Sequence, residues 1–148
     1  MMFKSVSLLS CEEYWTYRDL IPIINDWWWL RSSDAFFKTI VHVVNGLGNV
    51  SNAECSEKRG VRPFCIVKFE PDDPRFWSKP EKLIGTKIKW GRCTFTVLDV
   101  KNDELYILSD EVVYKRHFDA VSNNWDNSTL KKILDRGGGI VGKQYMYD

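Results

Sequence analysis

The sequence contains few of the residues and motifs that enzymes and metalloproteins usually show. It has two histidines, and its four cysteines are separated by 44, 10 and 28 positions, so no CxxC zinc pattern occurs. It has no GxxxxGK[ST] phosphate loop, no HExxH pair and no GxSxG elbow. These absences argue against nucleotide-hydrolysing, zinc-dependent and serine-hydrolase activities. We predict a protein that is not an enzyme and that has no catalytic residues, no cofactor and no metal site.

Charge and hydropathy also lack a strong bias. The formal net charge is +1, and basic and acidic residues are close to balanced on both sides of residue 70. No basic arm is present, which argues against non-specific nucleic-acid binding. The sequence has no run of about 20 apolar residues, and its first residues do not form the long apolar segment of a signal peptide. We therefore expect a cytoplasmic protein that binds no membrane and keeps its cysteines reduced.

Aromatic residues are abundant, at 14% of the chain, and three tryptophans stand in succession at positions 27–29. In a strand, neighbouring side chains point to opposite faces, so both faces of this segment must be covered or one must receive a ligand. Large aromatic side chains usually pack in a core, and we predict this for Trp29. For Trp28 two alternatives are open: packing in the core, or facing outward to stack on a ligand ring.

Local patterns predict an α+β fold with a small mixed or antiparallel sheet, two short helices and much irregular chain. Ser10 and Glu13 form a capping box that begins the first helix, which Pro22 ends. The second helix follows a cap at Asn127 or Ser128. The sequence NGLG at 45–48 predicts a hairpin over 36–55, and tight-turn residues stand at 102–103. The remaining strands are predicted at 3–9, 61–69, 86–90, 93–100 and 104–108.

We predict one integrated domain over residues 1–148. It comprises a first half at 1–70, a connector rich in proline and aspartate at 71–80, a second half at 81–136 and a flexible tail at 137–148 that begins with three glycines.

Three motifs in the first half carry a family resemblance: LLSCEEY at 8–14, WWLRS at 28–32 and GVRP at 60–63. They resemble a family of domains of unknown function common in gut bacteria and their phages. The second half, between Gly85 and Leu130, resembles a further part of that family. The resemblance implies a lectin-like domain, similar in style to C-type lectin and sulfatase-modifying-factor folds, and it implies no established activity.

The motif arginines Arg31 and Arg62 are predicted to be structural. Each is expected to hold loops in place by donating to backbone carbonyls and to a carboxylate such as Asp26 or Asp34. The alternative is that either arginine clamps a phosphate or carboxylate ligand.

The stretch from 33 to 59 is the candidate binding region, because it varies among the domains that the chain resembles. Adjacent phenylalanines cannot both face one core, so either one is exposed as a partner site or the second half covers it. Together with Trp28, the candidate contact residues are Phe36, Phe37, Lys38, His42, Asn45, Asn52, Glu54 and Lys58.

The predicted function is that of a non-enzymatic binding protein, encoded by a phage or prophage, that interferes with a host system. Its partner would be a host defence protein, which it blocks, or a nucleotide-like small molecule, which it sequesters in an aromatic, arginine-lined pocket; an oligomer is possible. The first alternative is a lectin-like receptor-binding module of a phage structural protein. The second is a metal- or thiol-dependent enzyme that uses His42, Cys55 or Cys65.

Overall fold

A computed structural model describes residues 2–68, 80–90 and 92–137 of the chain. The predicted α+β class is confirmed, with much irregular chain between the elements. The strands are β1 (Met2–Ser7), β2 (Trp28–Ser33), β3 (Ile40–Val44), β4 (Val50–Glu54), β5 (Lys58–Val61), β6 (Phe64–Lys68), β7 (Lys87–Trp90), β8 (Cys93–Lys101), β9 (Glu104–Ser109) and β10 (Tyr114–His117). The helices are α1 (Cys11–Tyr17) and α2 (Thr129–Asp135). The predicted connector at 71–80 and tail at 137–148 lie outside the described residues, except for Pro80 and Gly137.

The strands form two five-stranded sheets in place of the single sheet that was predicted. The first has the order β1-β6-β9-β8-β7 and is antiparallel throughout. The second has the order β10-β5-β2-β3-β4, in which only β2 and β5 run parallel. Each sheet contains strands from both halves of the chain, since β6 pairs with β9 and β5 pairs with β10.

Local signals in the sequence explain where several elements begin and end. In the capping box of α1, the Ser10 hydroxyl accepts from the Glu13 amide at 3.1 Å, and the Glu13 carboxylate accepts from the Ser10 amide at 2.8 Å. The predicted hairpin is confirmed as β3 and β4, with Ile40 opposite Glu54. Of the two residues predicted to cap α2, Ser128 is the cap.

The predicted strand at 61–69 corresponds to β6, Val61 belongs instead to the end of β5, and Phe69 lies outside the described residues. β5 ends at Val61 and β6 begins at Phe64, in different sheets. Pro63 lies between them, and because proline has no amide hydrogen to donate to a ladder, it marks the change of sheet.

Strand geometry places Trp28 and Trp29 in different parts of the core. Trp29 belongs to the larger cluster, which joins both sheets to Leu130 and Leu134 of α2, and its indole donates to the Arg116 carbonyl at 2.8 Å. Trp28 belongs to a second cluster on the other face of β2. Each cluster contains residues from both halves of the chain, so neither half encloses a core alone.

Candidate functional site

Trp28 is a core residue, and the expectation that it faces outward is wrong. Its side chain is 1% exposed, and the ring of Tyr14 from α1 packs edge-on against it, with 5.6 Å between the two ring centres. The guanidinium carbon of Arg62 lies 4.6 Å from the centre of the Trp28 ring. The aromatic and arginine side chains proposed for a ligand pocket therefore stack on each other inside the protein.

Arg62 donates only to main-chain carbonyls among the described residues. Its nitrogens reach the carbonyls of Ser109 at 2.9 Å, Asp110 at 3.2 Å and Pro22 at 3.3 Å. Burial lowers the pKa of Arg62 to about 10, although the charges of Asp110 and Tyr14 oppose the change. The buried guanidinium connects Pro22, which precedes β2, to the end of β9 and the residue after it. Arg62 therefore has a structural role.

Arg31 also has partners within the fold, both of them at its nitrogen Nη1. It donates to the Leu8 carbonyl at 2.7 Å and to the Glu13 carboxylate. The carboxylate partner is thus Glu13, where Asp26 or Asp34 was expected. Burial acts to raise the pKa of Glu13, but hydrogen bonds from Arg31 and Ser10 outweigh it and hold that pKa below its usual value.

Phe36 and Phe37 are exposed on the connection between β2 and β3. The exposed fractions of the two side chains are 89% and 67%, so the described residues of the second half do not cover them. Lys38, next in sequence, is exposed as well. Two adjacent solvent-exposed phenylalanines are unusual, because each leaves a large apolar surface in water.

Hydrogen bonds hold this connection in one conformation. The Asp34 carboxylate accepts from the amides of Phe36 at 2.9 Å and Phe37 at 2.8 Å. The side-chain amide of Asn123 donates to the carbonyls of Asp34, Phe37 and Ile40 at 2.9–3.1 Å. The Asn123 amide also donates to the Lys38 carbonyl at 2.8 Å. The exposed phenylalanines therefore stand on a loop that is already ordered.

The outward face of β3 and β4 continues from this loop. His42 lies opposite Asn52 and its ring nitrogen Nδ1 is 2.8 Å from the Asn52 side-chain oxygen, while Glu54 lies opposite Ile40. We call this combined area the hairpin surface; it consists of Phe36, Phe37, Lys38, His42, Asn52 and Glu54. Six of the nine candidate contact residues thus lie on β3, on β4 or on the loop that precedes β3.

Asn45 and Lys58 lie elsewhere. The side-chain oxygen of Asn45 accepts from the amides of Leu47 and Asn49, so it forms the turn at the opposite end of β3 and β4. A five-residue strand spans about 17 Å, which separates this turn from the phenylalanines. Lys58 begins β5 and borders a cleft with β10.

Two residues next to the hairpin surface were not among the predicted candidates. Asn123 anchors the loop, and Val121, on the same segment, is 77% exposed. No local pattern marks Asn123 as an anchor, because its side chain bonds to residues more than 80 positions away.

The described part of the chain contains no group of three or more His, Cys, Asp or Glu side chains that could hold a metal ion, and no helix in it has the length and apolar character to cross a membrane. All four cysteines are free thiols, and burial raises the pKa of each above its usual value. A raised pKa disfavours the thiolate, which is the reactive form.

A second cleft, of about 360 Å³, is lined by charged side chains that already have partners. Arg31 pairs with Glu13, and Lys131 pairs with Asp135 at 2.8 Å. Trp125 also borders this cleft. Since its charges compensate one another, the cleft has no clear preference for an anion or a cation.

Comparison with known proteins finds one family. Residues 5–69 match the model of a domain of unknown function (DUF6273). The match includes the LLS, WWLRS and GVRP motifs and therefore Trp28, Trp29, Arg31, Arg62 and the hairpin surface, and it covers less than half of the chain. No curated protein and no solved structure matches the chain significantly. The match supports an uncharacterised domain family for this segment and assigns no activity to it.

Asp34 provides a test of the loop that leaves the phenylalanines in place. Asp34→Ala should increase the mobility of residues 35–38 because two amides lose their acceptor, whereas Asp34→Asn should retain order because its side-chain oxygen can accept the same bonds. Backbone relaxation measurements by NMR report this mobility. Equal order in the two variants would show that the Asp34 carboxylate is not needed to order the loop.

Proposed function

We propose that this chain is a non-catalytic binding protein, encoded by a phage or prophage, that acts in the cytoplasm of the host cell by blocking a host protein through the hairpin surface. The observation that carries the proposal is the pair of exposed phenylalanines on a hydrogen-bonded loop. The resemblance to domains of gut bacteria and their phages supports the choice of host.

The ordered loop favours binding because its conformational entropy has already been lost on folding. A flexible loop loses about 0.5–1.5 kcal/mol for each side chain that binding immobilises, and pre-organisation reduces this cost. Here Asp34 and Asn123 fix the backbone on either side of Phe36 and Phe37. A few aromatic anchors of this kind usually supply most of the free energy of an interface.

The shape of the surface favours a protein over a small molecule. Small ligands bind in concave sites that cover most of their surface. Phe36, at 89% exposed, projects from the fold and does not line a cavity. The fitting partner is a protein with an apolar pocket for the phenylalanines and an acidic or carbonyl group near Lys38.

The test is capture of a partner from host lysate on the immobilised protein, followed by mass spectrometry. We expect the Phe36→Ala, Phe37→Ala double variant to lose the captured protein, because each aromatic anchor should contribute more than about 1–2 kcal/mol. Its unfolding midpoint should stay close to that of the wild type, since truncating exposed side chains changes stability by only about 0.5 kcal/mol.

Leu47→Ala is the matched control. Leu47 is another exposed apolar side chain, at 75%, but it lies on the turn at the other end of β3 and β4. This variant should capture the partner as the wild type does. Capture that survives the double phenylalanine variant, or that Leu47→Ala removes equally, would contradict the proposal.

A further inference from the structure

The ladder between β5 and β10 carries an unusual concentration of positive charge. In its four residue pairs, Lys58 lies opposite His117, Arg59 opposite Arg116 and Lys115 opposite Gly60. Like charges directly opposite each other in an antiparallel pair destabilise it. A chain with a net charge of only +1 thus places four lysine and arginine side chains along one short edge of a sheet.

Nearby carboxylates compensate only part of this charge. Arg59 pairs with Glu57 at 2.7 Å, and Lys115 lies 3.4 Å from Asp26. Within the described ranges, no ion pair involves Lys58 or Arg116. The edge of this sheet therefore retains excess positive charge.

Another carboxylate close in sequence to the ladder is that of Asp119, and it already accepts hydrogen bonds from other groups. It accepts bonds from the Thr129 amide and hydroxyl and from the amides of Val121 and Ser122. Burial acts to raise the pKa of Asp119, but these bonds outweigh it and hold that pKa below its usual value. Asp119 is therefore charged and has its acceptor positions filled, so its charge offsets part of the positive potential without forming an ion pair with the ladder.

Two buried donors on the same ladder have no partner among the described residues. They are Nε of Arg59 and the hydroxyl of Tyr114. Arg59 lies opposite Arg116, and Tyr114 is two residues from Arg116, so all three lie on one face of the ladder. An unpaired buried donor is costly, so this face has hydrogen-bonding capacity that the described residues do not use, and of the three residues on it Arg116 also lines the neighbouring cleft.

A cleft adjoins this ladder. It has a volume of about 350 Å³ and is lined by Lys58, Lys115, Arg116, His117, Thr129 and Ile133. This volume lies in the range of sites for small ligands. No aromatic side chain lines it, so it offers no stacking platform for a base, and no acidic residue lines it.

We propose that this cleft binds a small molecule through its oligophosphate group, with Lys58 and Arg116 as the principal contacts. Phosphate oxygens are acceptors only, so they match a site built from ammonium and guanidinium donors. Binding would also relieve the repulsion between Arg59 and Arg116 across the ladder. The site is separate from the hairpin surface and does not depend on the function proposed for it.

Isothermal titration calorimetry with pyrophosphate at low salt tests the proposal. The wild type should bind one pyrophosphate per chain, and the Lys58→Gln, Arg116→Gln double variant should bind at least about tenfold more weakly, because charge-assisted hydrogen bonds are lost. Lys89→Gln is the matched control: it removes an exposed lysine on β7, in the other sheet, and should bind as the wild type does.

NMR titration of the wild-type protein provides a measurement that needs no variant. Pyrophosphate should shift the amides of residues 58–60 and 114–117, and a single-stranded oligonucleotide should bind more weakly than pyrophosphate. The proposal would be overturned if pyrophosphate did not bind at millimolar concentration or if it shifted amides outside these residues. It would also be overturned if the double variant bound pyrophosphate as the wild type does, or if the oligonucleotide bound more tightly than pyrophosphate.

Discussion

Replacing Arg62 with leucine is expected to lower the free energy of unfolding by about 3–5 kcal/mol. Three carbonyls lose a charged donor, and each buried group left unsatisfied costs about 1–3 kcal/mol. The loss of the stack on Trp28 adds to this, while removal of a buried charge partly offsets it. Arg62→Lys should also be destabilising, because an ammonium group cannot reach three carbonyls with the geometry of a guanidinium.

Arg18→Leu is the control for this substitution, because the Arg18 guanidinium also lies over a tryptophan ring, that of Trp15, at 4.8 Å. Trp15 is exposed and Arg18 is only half-buried, so the same chemical change should alter the free energy of unfolding by much less, about 0.5 kcal/mol. Urea unfolding of both variants provides the comparison. Similar losses for the two substitutions would show that Arg62 is not a structural centre of the fold.

Separating the chain at the connector is expected to abolish folding of both halves. Without residues 81–148, β6 loses its partner β9 and β5 loses its partner β10, and both apolar clusters lose members. A fragment of about 70 residues has little core with which to compensate, and unpaired strand edges favour aggregation.

Expression of fragments 1–70 and 81–148, separately and together, tests this expectation. Circular dichroism during heating should show no cooperative transition for either fragment alone, and co-expression should restore one. A soluble 1–70 fragment that melts cooperatively would mean that the segment matching the family is an independent domain.

Local patterns were sufficient to predict the parts of the fold that depend on neighbouring residues. The capping box at Ser10, the turn at 45–48 and the alternation of Trp28 and Trp29 are all set within a few positions. The second sheet was not predicted, because its order depends on the parallel pairing of β2 with β5 and on the late strand β10. Such long-range pairings have no signal within a single window of sequence.

The same distinction applies to the candidate site. Exposure of one of the two phenylalanines was among the outcomes predicted from their adjacency, since two neighbouring side chains cannot enter one core, but the exposure of both Phe36 and Phe37 was not predicted. The position of Trp28 was not predictable, because it depends on Tyr14 and Arg62 covering the second face of β2. Asn123 was missed for the same reason: it reaches the loop from a segment about 85 positions later in the chain.

Hydrogen exchange with and without the captured partner tests the central claim most directly, because it locates the contact on the unmodified protein. A partner bound to the hairpin surface should slow amide exchange in residues 34–42 and in the neighbouring segment 119–124, with little change at the turn at 45–49. Protection confined to residues 80–117, with residues 34–42 unchanged, would place the binding site in the second half of the chain and contradict binding through the hairpin surface.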